Sequence, residues 1–117
     1  MIGRLVGRRR DALVPVAPVG HYLADFDAPL LGLSPSDTWC LRDAFEGSVI
    51  FGGIGSGKTS GSGRNLAHAM LRGGFGGLVL CAKPDERARW ERYCADTGRA
   101  ASLVVFDGSG RRKFNFL

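Results

Sequence analysis

The sequence lacks the features that mark metal-binding and membrane-spanning chains. Its cysteines and histidines are few and isolated, and no two of them have the spacing of metal ligands: Cys40, Cys81, Cys94, His21 and His68. This argues against a metal centre built from these residues, and unpaired thiols are typical of the cytosol. No apolar run approaches the ~20 residues that a membrane-spanning helix needs. We therefore expect a cytoplasmic chain with no membrane segment of its own.

Lysine is scarce too, since only three of the 16 basic residues are lysine and the rest are arginine. The net charge is +5 and the isoelectric point is about 9.6. A basic balance favours an anionic partner, such as a nucleotide, a nucleic acid or a membrane surface, but a solvated basic surface gives the same totals. Hydrophobic residues make up 44% of the 117 residues, which is enough for one modest domain.

Glycine is the residue in excess, at 18 of 117, and ten of these lie between residues 52 and 77. Glycine loses more chain entropy on folding than any other residue, so a local cluster of glycines needs a reason. The cluster directly follows a short apolar run, and its explanation depends on the elements predicted on either side.

Three short apolar runs predict buried strands at residues 48–51, 78–82 and 102–106. The partly alternating stretch 38–42 predicts a short strand or an extended segment before them. Residues 1–37 contain four arginines near the start and then proline, glycine and serine, with LSPSD marking a turn. We expect this part to form an irregular basic arm.

Two segments between the predicted strands have helical features. In residues 58–72 apolar residues recur at a spacing of four, and Gly73 and Gly74 supply the stop. In KPDERARWERYCADTGRA, Pro84 suits the first turn of a helix and Gly98 ends it. Strands that alternate with helices predict an α/β fold with three mostly parallel strands and flanking helices.

The glycine cluster contains a motif, because residues 52–59 read GGIGSGKT and fit the Walker A pattern G-x-x-x-x-G-K-[ST]. Backbone N–H groups can surround a polyphosphate where the chain curves tightly around it. Glycine permits this curvature because it has no Cβ to collide with the phosphates. Lys58 would reach the β- and γ-phosphates, and the hydroxyl of Thr59 would ligate Mg²⁺. The hypothesis requires a strand before the loop and a helix beginning near Lys58. The predicted ATP-binding residues are Gly52, Gly53, Ile54, Gly55, Ser56, Gly57, Lys58, Thr59 and Ser60.

Two neighbours of the motif have an ordinary structural interpretation beside a functional one. Ser60 would either touch an α-phosphate or cap the first turn of the helix, and Arg64 is expected to be solvated. No three glycines have the spacing G-x-G-x-x-G, so the Rossmann dinucleotide pattern is excluded.

The stretch TWCLRDAFEGSVIFGGIGSGKTSGSGRNLAHAML, which begins at Thr38, resembles the nucleotide-binding start of conjugative DNA-transfer ATPases. These are the TraG-like coupling proteins of type IV secretion, within the HerA/FtsK group of P-loop ATPases. LVLCAKPDE is similar to that family's second strand with its following lysine and acid. SLVVFDGSGRRKFNFL is similar to its third strand and Phe-Asn stretch, so the resemblance covers about residues 38–117.

The resemblance implies a RecA-like motor that uses ATP and Mg²⁺, assembles as a hexamer and passes DNA to a secretion channel at the inner membrane. It makes residues 38–117 an incomplete P-loop nucleotide-binding domain behind the arm 1–37. At the matching positions Lys58 would hold phosphate and Thr59 the magnesium ion. The implied partners are nucleotide, DNA, secretion-system components and further copies of the chain.

The sequence departs from that family in its acidic residues. ATP hydrolysis by this class needs an acidic Walker B residue after a later strand, where it orients magnesium and the attacking water. Asp107 and Asp85 are the nearest acids, but the Asp-Gly pair at Asp107 favours a turn. The catalytic residues are therefore unknown. We expect a truncated, partial RecA-like P-loop NTPase core that is an ATPase only if missing segments or a partner complete it.

Two other functions stay open. A small complete P-loop enzyme, such as a nucleotide kinase, would carry arginines on loops around an acceptor site, whereas Arg87, Arg89 and Arg92 lie in a predicted helix. A basic DNA-binding module would use the arginines of the arm and the RRKF stretch, with Phe114 or Phe116 stacking on bases.

Overall fold

A computed structural model describes residues 25–109 and Arg112. Contacts divide the chain between Val49 and Ile50 into two compact units, called here the first unit and the second unit. The predictions for the N-terminal arginines and for Phe114 and Phe116 fall outside the described residues. Within the described part, none of the helices combines the length and the hydrophobicity that crossing a bilayer requires.

The first unit contains a short hairpin. Strand β1 (Pro29–Gly32) pairs with strand β2 (Thr38–Cys40) in antiparallel register, with an irregularity between Pro29 and Leu31. The predicted LSPSD turn between the strands is confirmed, since the N–H of Asp37 donates to the Ser34 hydroxyl at 3.0 Å. β1 therefore lies within the segment that was expected to be irregular.

A helix that the sequence reasoning missed follows β2 directly. Helix α1 (Leu41–Phe45) begins after Cys40, whose N–H donates to the Asp43 carboxylate at 2.8 Å. This bond satisfies one of the free N–H groups at the helix start. Leu41 is buried together with Leu30 of β1, and these are the large buried side chains among residues 25–49.

The second unit consists of helix α2 (Ser62–Arg72), helix α3 (Pro84–Asp96), a 3₁₀ turn (Ala100–Ser102) and extended connections. Helix α2 buries His68 and its alanine neighbours, and α3 buries Tyr93 and Cys94. The rings of His68 and Tyr93 meet edge to face with centroids 5.0 Å apart, which joins the two helices.

The predicted limits of α3 are confirmed. Pro84 occupies the first turn, where its missing N–H costs nothing, and the Glu86 carboxylate accepts from the Lys83 N–H at 3.1 Å. Gly98 follows the helix with φ of +72°, a left-handed conformation that a side chain would strain. The end of α2 is confirmed as well, because the helix stops at Arg72, just before Gly73.

The predicted partial RecA-like core is wrong, because the described residues contain no three-stranded parallel sheet. Their strands are β1 and β2, which are antiparallel, and 48–51, 78–82 and 102–106 lie outside them. Apolar side chains in these segments face solvent, with Phe51 89% and Leu80 85% exposed. An apolar run becomes a strand only where a partner strand and a covering layer reach it, and here the helices pack on each other.

The predicted start of α2 near Lys58 is also wrong, since the helix begins at Ser62. Before it, the Gly63 N–H donates to the Lys58 carbonyl at 2.7 Å, one residue further back than in a regular α-helix. Glycines weaken a helix by about 1 kcal/mol each relative to alanine, so the turn through Gly61 and Gly63 stays wide. The wide turn leaves the carbonyl of Thr59 available to another donor.

Candidate functional site

The glycine-rich loop, residues 52–61, is tightly curved. Gly55 and Gly57 have φ of +77° and +80°, in the left-handed region that residues with a Cβ rarely adopt. A Cβ on Gly61 would lie 2.9 Å from the backbone carbonyl oxygen of Gly57, so this position also requires glycine. The glycine excess seen in the sequence is therefore explained at these three positions by backbone geometry.

Lys58 folds back across the loop. Its ammonium group donates to the carbonyl oxygens of Gly52 at 2.5 Å and Gly53 at 2.6 Å, and the residue is half-buried. The loop thus curls around the one cation that the motif assigns to phosphate. A phosphate oxygen carries negative charge, so it would attract the ammonium group more strongly than these neutral carbonyl oxygens do.

The loop forms one wall of an open cavity of about 630 Å³, and helix α3 forms another. A volume of this size is ordinary for a small-molecule site. Seven of the nine predicted ATP-binding residues line the cavity. The carbonyl oxygens of the other two, Gly52 and Gly53, accept hydrogen bonds from the Lys58 ammonium group. The lining residues are Ile54, Gly55, Ser56, Gly57, Lys58, Thr59, Ser60, Arg64, Lys83, Asp85, Arg89, Arg92, Tyr93 and Asp96.

The cavity is cationic, because its lining has five basic side chains and two carboxylates. Asp85 is already matched by Arg89, whose guanidinium donates to it at 2.7 Å. Arg64 and Arg92 have no carboxylate partner within residues 25–109. The excess of positive charge at a concave surface favours an anionic ligand.

Tyr93 connects the loop to α3. Its hydroxyl donates to the carbonyl of Thr59 at 3.3 Å, the acceptor left free by the wide turn before α2. The ring is held at its edges by His68 and by Trp90, with centroids 5.0 and 5.5 Å away. Tyr93 is buried on α3, so its ring has little freedom to move. Its hydrogen bond therefore helps to position the carbonyl of Thr59.

His68 lies beneath this contact with its Nε2 atom buried and without a hydrogen-bond partner. The nearest carboxylate, that of Asp96, is 4.0 Å away, which is too far for a hydrogen bond. Burial, followed by the positive charges of Arg64 and Arg72, lowers the pKa of His68 below its usual value, while Asp96 opposes the shift. The ring is therefore neutral near pH 7.

The acids considered for a catalytic role lie in different places. Asp85 lines the cavity but is paired with Arg89. Asp107 is not among the cavity residues. Its carboxylate accepts from the Ser109 N–H at 3.0 Å and from Arg87 at 3.2 Å, as the turn interpretation requires. Hydrogen bonds from Ser109, and then the charge of Arg87, lower the pKa of Asp107. Among the described residues no group of three or more histidines, cysteines and acids could hold a metal ion.

The sequence reasoning missed the contribution of α3 to the cavity. A signal was present, because Asp85, Arg89, Arg92 and Asp96 are spaced by four, three and four residues. This spacing puts charged side chains on one face of a helix. The expectation that Arg64 is solvated is confirmed, since Arg64 is exposed although it lines the cavity. Ser60 does not cap α2, since Gly61 occupies the position before the first helical residue.

Comparisons with known protein families, with curated proteins and with solved structures gave no match to this chain. The loop, the cavity and their charges are therefore the features from which a function is inferred.

Proposed function

We propose that the chain binds ATP with Mg²⁺ in the cavity between the glycine-rich loop and α3, as the nucleotide-binding part of a conjugative DNA-transfer ATPase. The observation that carries the proposal is the loop curled around Lys58 at a cavity with excess positive charge. The resemblance to coupling proteins contributes the biological setting: DNA, secretion-system components, further copies of the chain and a location at the inner membrane.

The proposed roles follow from the donors present. Backbone N–H groups of the loop and the Lys58 ammonium group would bind the phosphates. Thr59 lines the cavity, and its hydroxyl would supply one magnesium ligand. Magnesium commonly keeps several waters and takes its other ligands from substrate phosphates, so a dedicated cluster of acids is not required.

The support comes from the loop and the cavity rather than from the fold. The strand and the helix start that the Walker A hypothesis requires on either side of the loop are not found, since residues 48–51 form no strand and α2 begins three residues after Thr59. The proposal is limited to binding, because Asp107 is absent from the cavity lining and Asp85 is paired with Arg89. Hydrolysis would need an acid from a completing segment or a partner.

The nucleotide-kinase alternative is disfavoured by α3. Arg87 donates to Glu91 at 2.9 Å and Arg89 to Asp85 at 2.7 Å, which is ordinary pairing along a helix. Of the three arginines considered for an acceptor site only Arg92 has no carboxylate partner in residues 25–109, and all three lie on a helix rather than on loops around a second substrate.

The test is a titration of the full chain with a fluorescent ATP analogue and Mg²⁺, comparing the wild type with Lys58→Ala and Arg72→Ala. Arg72 is an exposed cation on α2 outside the cavity, so its removal controls for net charge. We expect saturable binding that Lys58→Ala weakens at least tenfold, about 1.4 kcal/mol or more, and that Arg72→Ala leaves nearly unchanged. Equal, negligible binding by the wild type and Lys58→Ala would refute the proposal. Salt-dependent DNA binding without nucleotide would favour the DNA-binding module instead.

A further inference from the structure

The strongest unexplained feature of the second unit is a pair of arginines at the cavity. Arg64 belongs to the first turn of α2 and Arg92 to the middle of α3, and both line the cavity. Three other helical arginines pair with carboxylates, namely Arg42, Arg87 and Arg89, whereas Arg72 of α2 has no carboxylate partner in residues 25–109 but lies outside the cavity. Arg64 and Arg92 have no such carboxylate partner within residues 25–109.

The charge of the ligand decides what these arginines can do. A triphosphate tail carries several negative charges, and the Walker A motif supplies one ammonium group, which is half-buried beneath the loop. A guanidinium group presents a rigid fork of N–H donors that binds two phosphate oxygens at once. A single phosphate needs fewer cations than a longer tail, so cations beyond Lys58 indicate a longer polyphosphate.

We propose that Arg64 and Arg92 bind the terminal phosphates of the ligand, so that the site selects nucleoside di- and triphosphates over monophosphates. This inference rests on the proposed function and names two binding residues outside the Walker A motif. The two carboxylates of the lining do not cancel these charges, since Asp85 is paired with Arg89 and Asp96 is a single anion against the four remaining cations of the lining.

The experiment titrates the full chain with Mg-ATP, ADP, AMP and inorganic tripolyphosphate by calorimetry. Arg64→Gln and Arg92→Gln are compared with Arg72→Gln, which removes the same charge from an exposed position of α2 outside the cavity. We expect each cavity variant to weaken ATP and tripolyphosphate binding about fivefold or more, as for one lost charge pair, and AMP binding less than about twofold. Arg72→Gln should match the wild type, and circular dichroism should show unchanged helix content in all three variants.

The outcomes separate this inference from the proposed function. If Lys58→Ala abolishes ATP binding while Arg64→Gln and Arg92→Gln behave like Arg72→Gln, the proposed function stands and the inference fails. An equal loss of affinity for AMP and ATP in the cavity variants would also overturn the inference, because the arginines would then not bind the terminal phosphates. If the wild type binds neither ATP nor tripolyphosphate, both fail.

Discussion

The two units of the chain differ in how their charged side chains are paired. In the first unit, Asp27 pairs with Arg42 at 2.6 Å, and Asp43 accepts hydrogen bonds at the start of α1. In the second unit, Arg64 and Arg92 line a cavity without a carboxylate partner in the described residues. A charge that is already paired gains less from a ligand, whereas cations gathered at a cavity are stabilised when an anion binds.

The units also carry one tryptophan each, Trp39 in β2 and Trp90 in α3. Trp90→Phe leaves a chain whose tryptophan fluorescence reports on the first unit, and Trp39→Phe leaves one that reports on the second. The comparison between the units can therefore be tested in a single chain, with each unit observed by its own probe.

The largest expected effect is on the stability of the first unit. Leu30 is 2% exposed, so Leu30→Ala should remove about 2–5 kcal/mol from the free energy of unfolding that denaturation followed by Trp39 fluorescence measures. Leu33→Ala is the matched control, because Leu33 is 65% exposed and its truncation should change stability by less than about 0.5 kcal/mol. Equal effects of the two variants would contradict the assigned core.

The next largest effect is the stabilisation by Mg-ATP, which we expect in the second unit and not in the first. Mg-ATP at a hundred times its dissociation constant should stabilise the unit that binds it by about 2.7 kcal/mol. We expect the denaturation midpoint followed by Trp90 to rise with Mg-ATP and the midpoint followed by Trp39 to stay unchanged. A rise at Trp39 alone would place the ligand in the first unit and contradict the cavity assignment.

A smaller effect is expected at Tyr93, which joins the loop to α3 through its hydrogen bond to the Thr59 carbonyl. Tyr93→Phe keeps the ring contacts and removes this bond, which is worth about 0.5–1.5 kcal/mol. Amide hydrogen exchange of residues 57–63 should become faster while α1 keeps its protection. Trp90→Phe serves as the control, since it changes the other ring neighbour of Tyr93 and leaves the hydroxyl bond in place.

The smallest expected effect is a pH dependence that differs between the units. The pKa of His68 is lowered in the folded chain, mainly by burial, so the unfolded chain binds more protons as the pH falls below the ordinary value of about 6.5. This contribution to stability is complete above that pH and is lost as the pH falls toward the folded pKa. The midpoint followed by Trp90 should decrease between about pH 7 and 5, and His68→Gln should reduce the slope.

In the first unit the corresponding group is Asp27, whose pKa is lowered chiefly by its hydrogen bond from Arg42. Its contribution to stability is present above the unfolded pKa of about 3.9 and is lost only as the pH falls below it. The midpoint followed by Trp39 should therefore stay level between about pH 7 and 5. A decrease at Trp39 equal to that at Trp90 would contradict the assignment of the slope to His68.

The sequence predicted the features that depend on near neighbours in the chain. Pro84 and Gly98 marked the ends of α3, LSPSD marked the hairpin turn, and the glycines at 55 and 57 marked a loop with left-handed backbone. Each of these follows from backbone preferences that act over a few residues.

The prediction of a parallel sheet was wrong because a sheet depends on contacts between segments far apart in the chain. The apolar runs at 48–51, 78–82 and 102–106 have strand composition, but pairing would require segments more than 20 residues apart to meet and be covered. The hydrophobic periodicity of a segment does not show whether another strand pairs with it. The exposed side chains of Phe51 and Leu80 show that these segments are not covered here. The start of α2 was misplaced because the glycines before it favour a wider turn.

By itself, then, the sequence determined a curved glycine-rich loop with one lysine, both ends of α3, the end of α2 and an excess of arginine, because these depend on composition and local backbone preferences. Tertiary structure alone decided that Arg64 and Arg92 line the same cavity as Lys58, and that Tyr93 holds the carbonyl of Thr59. These contacts join groups up to 34 residues apart, and only the packing of α2 against α3 brings such groups together.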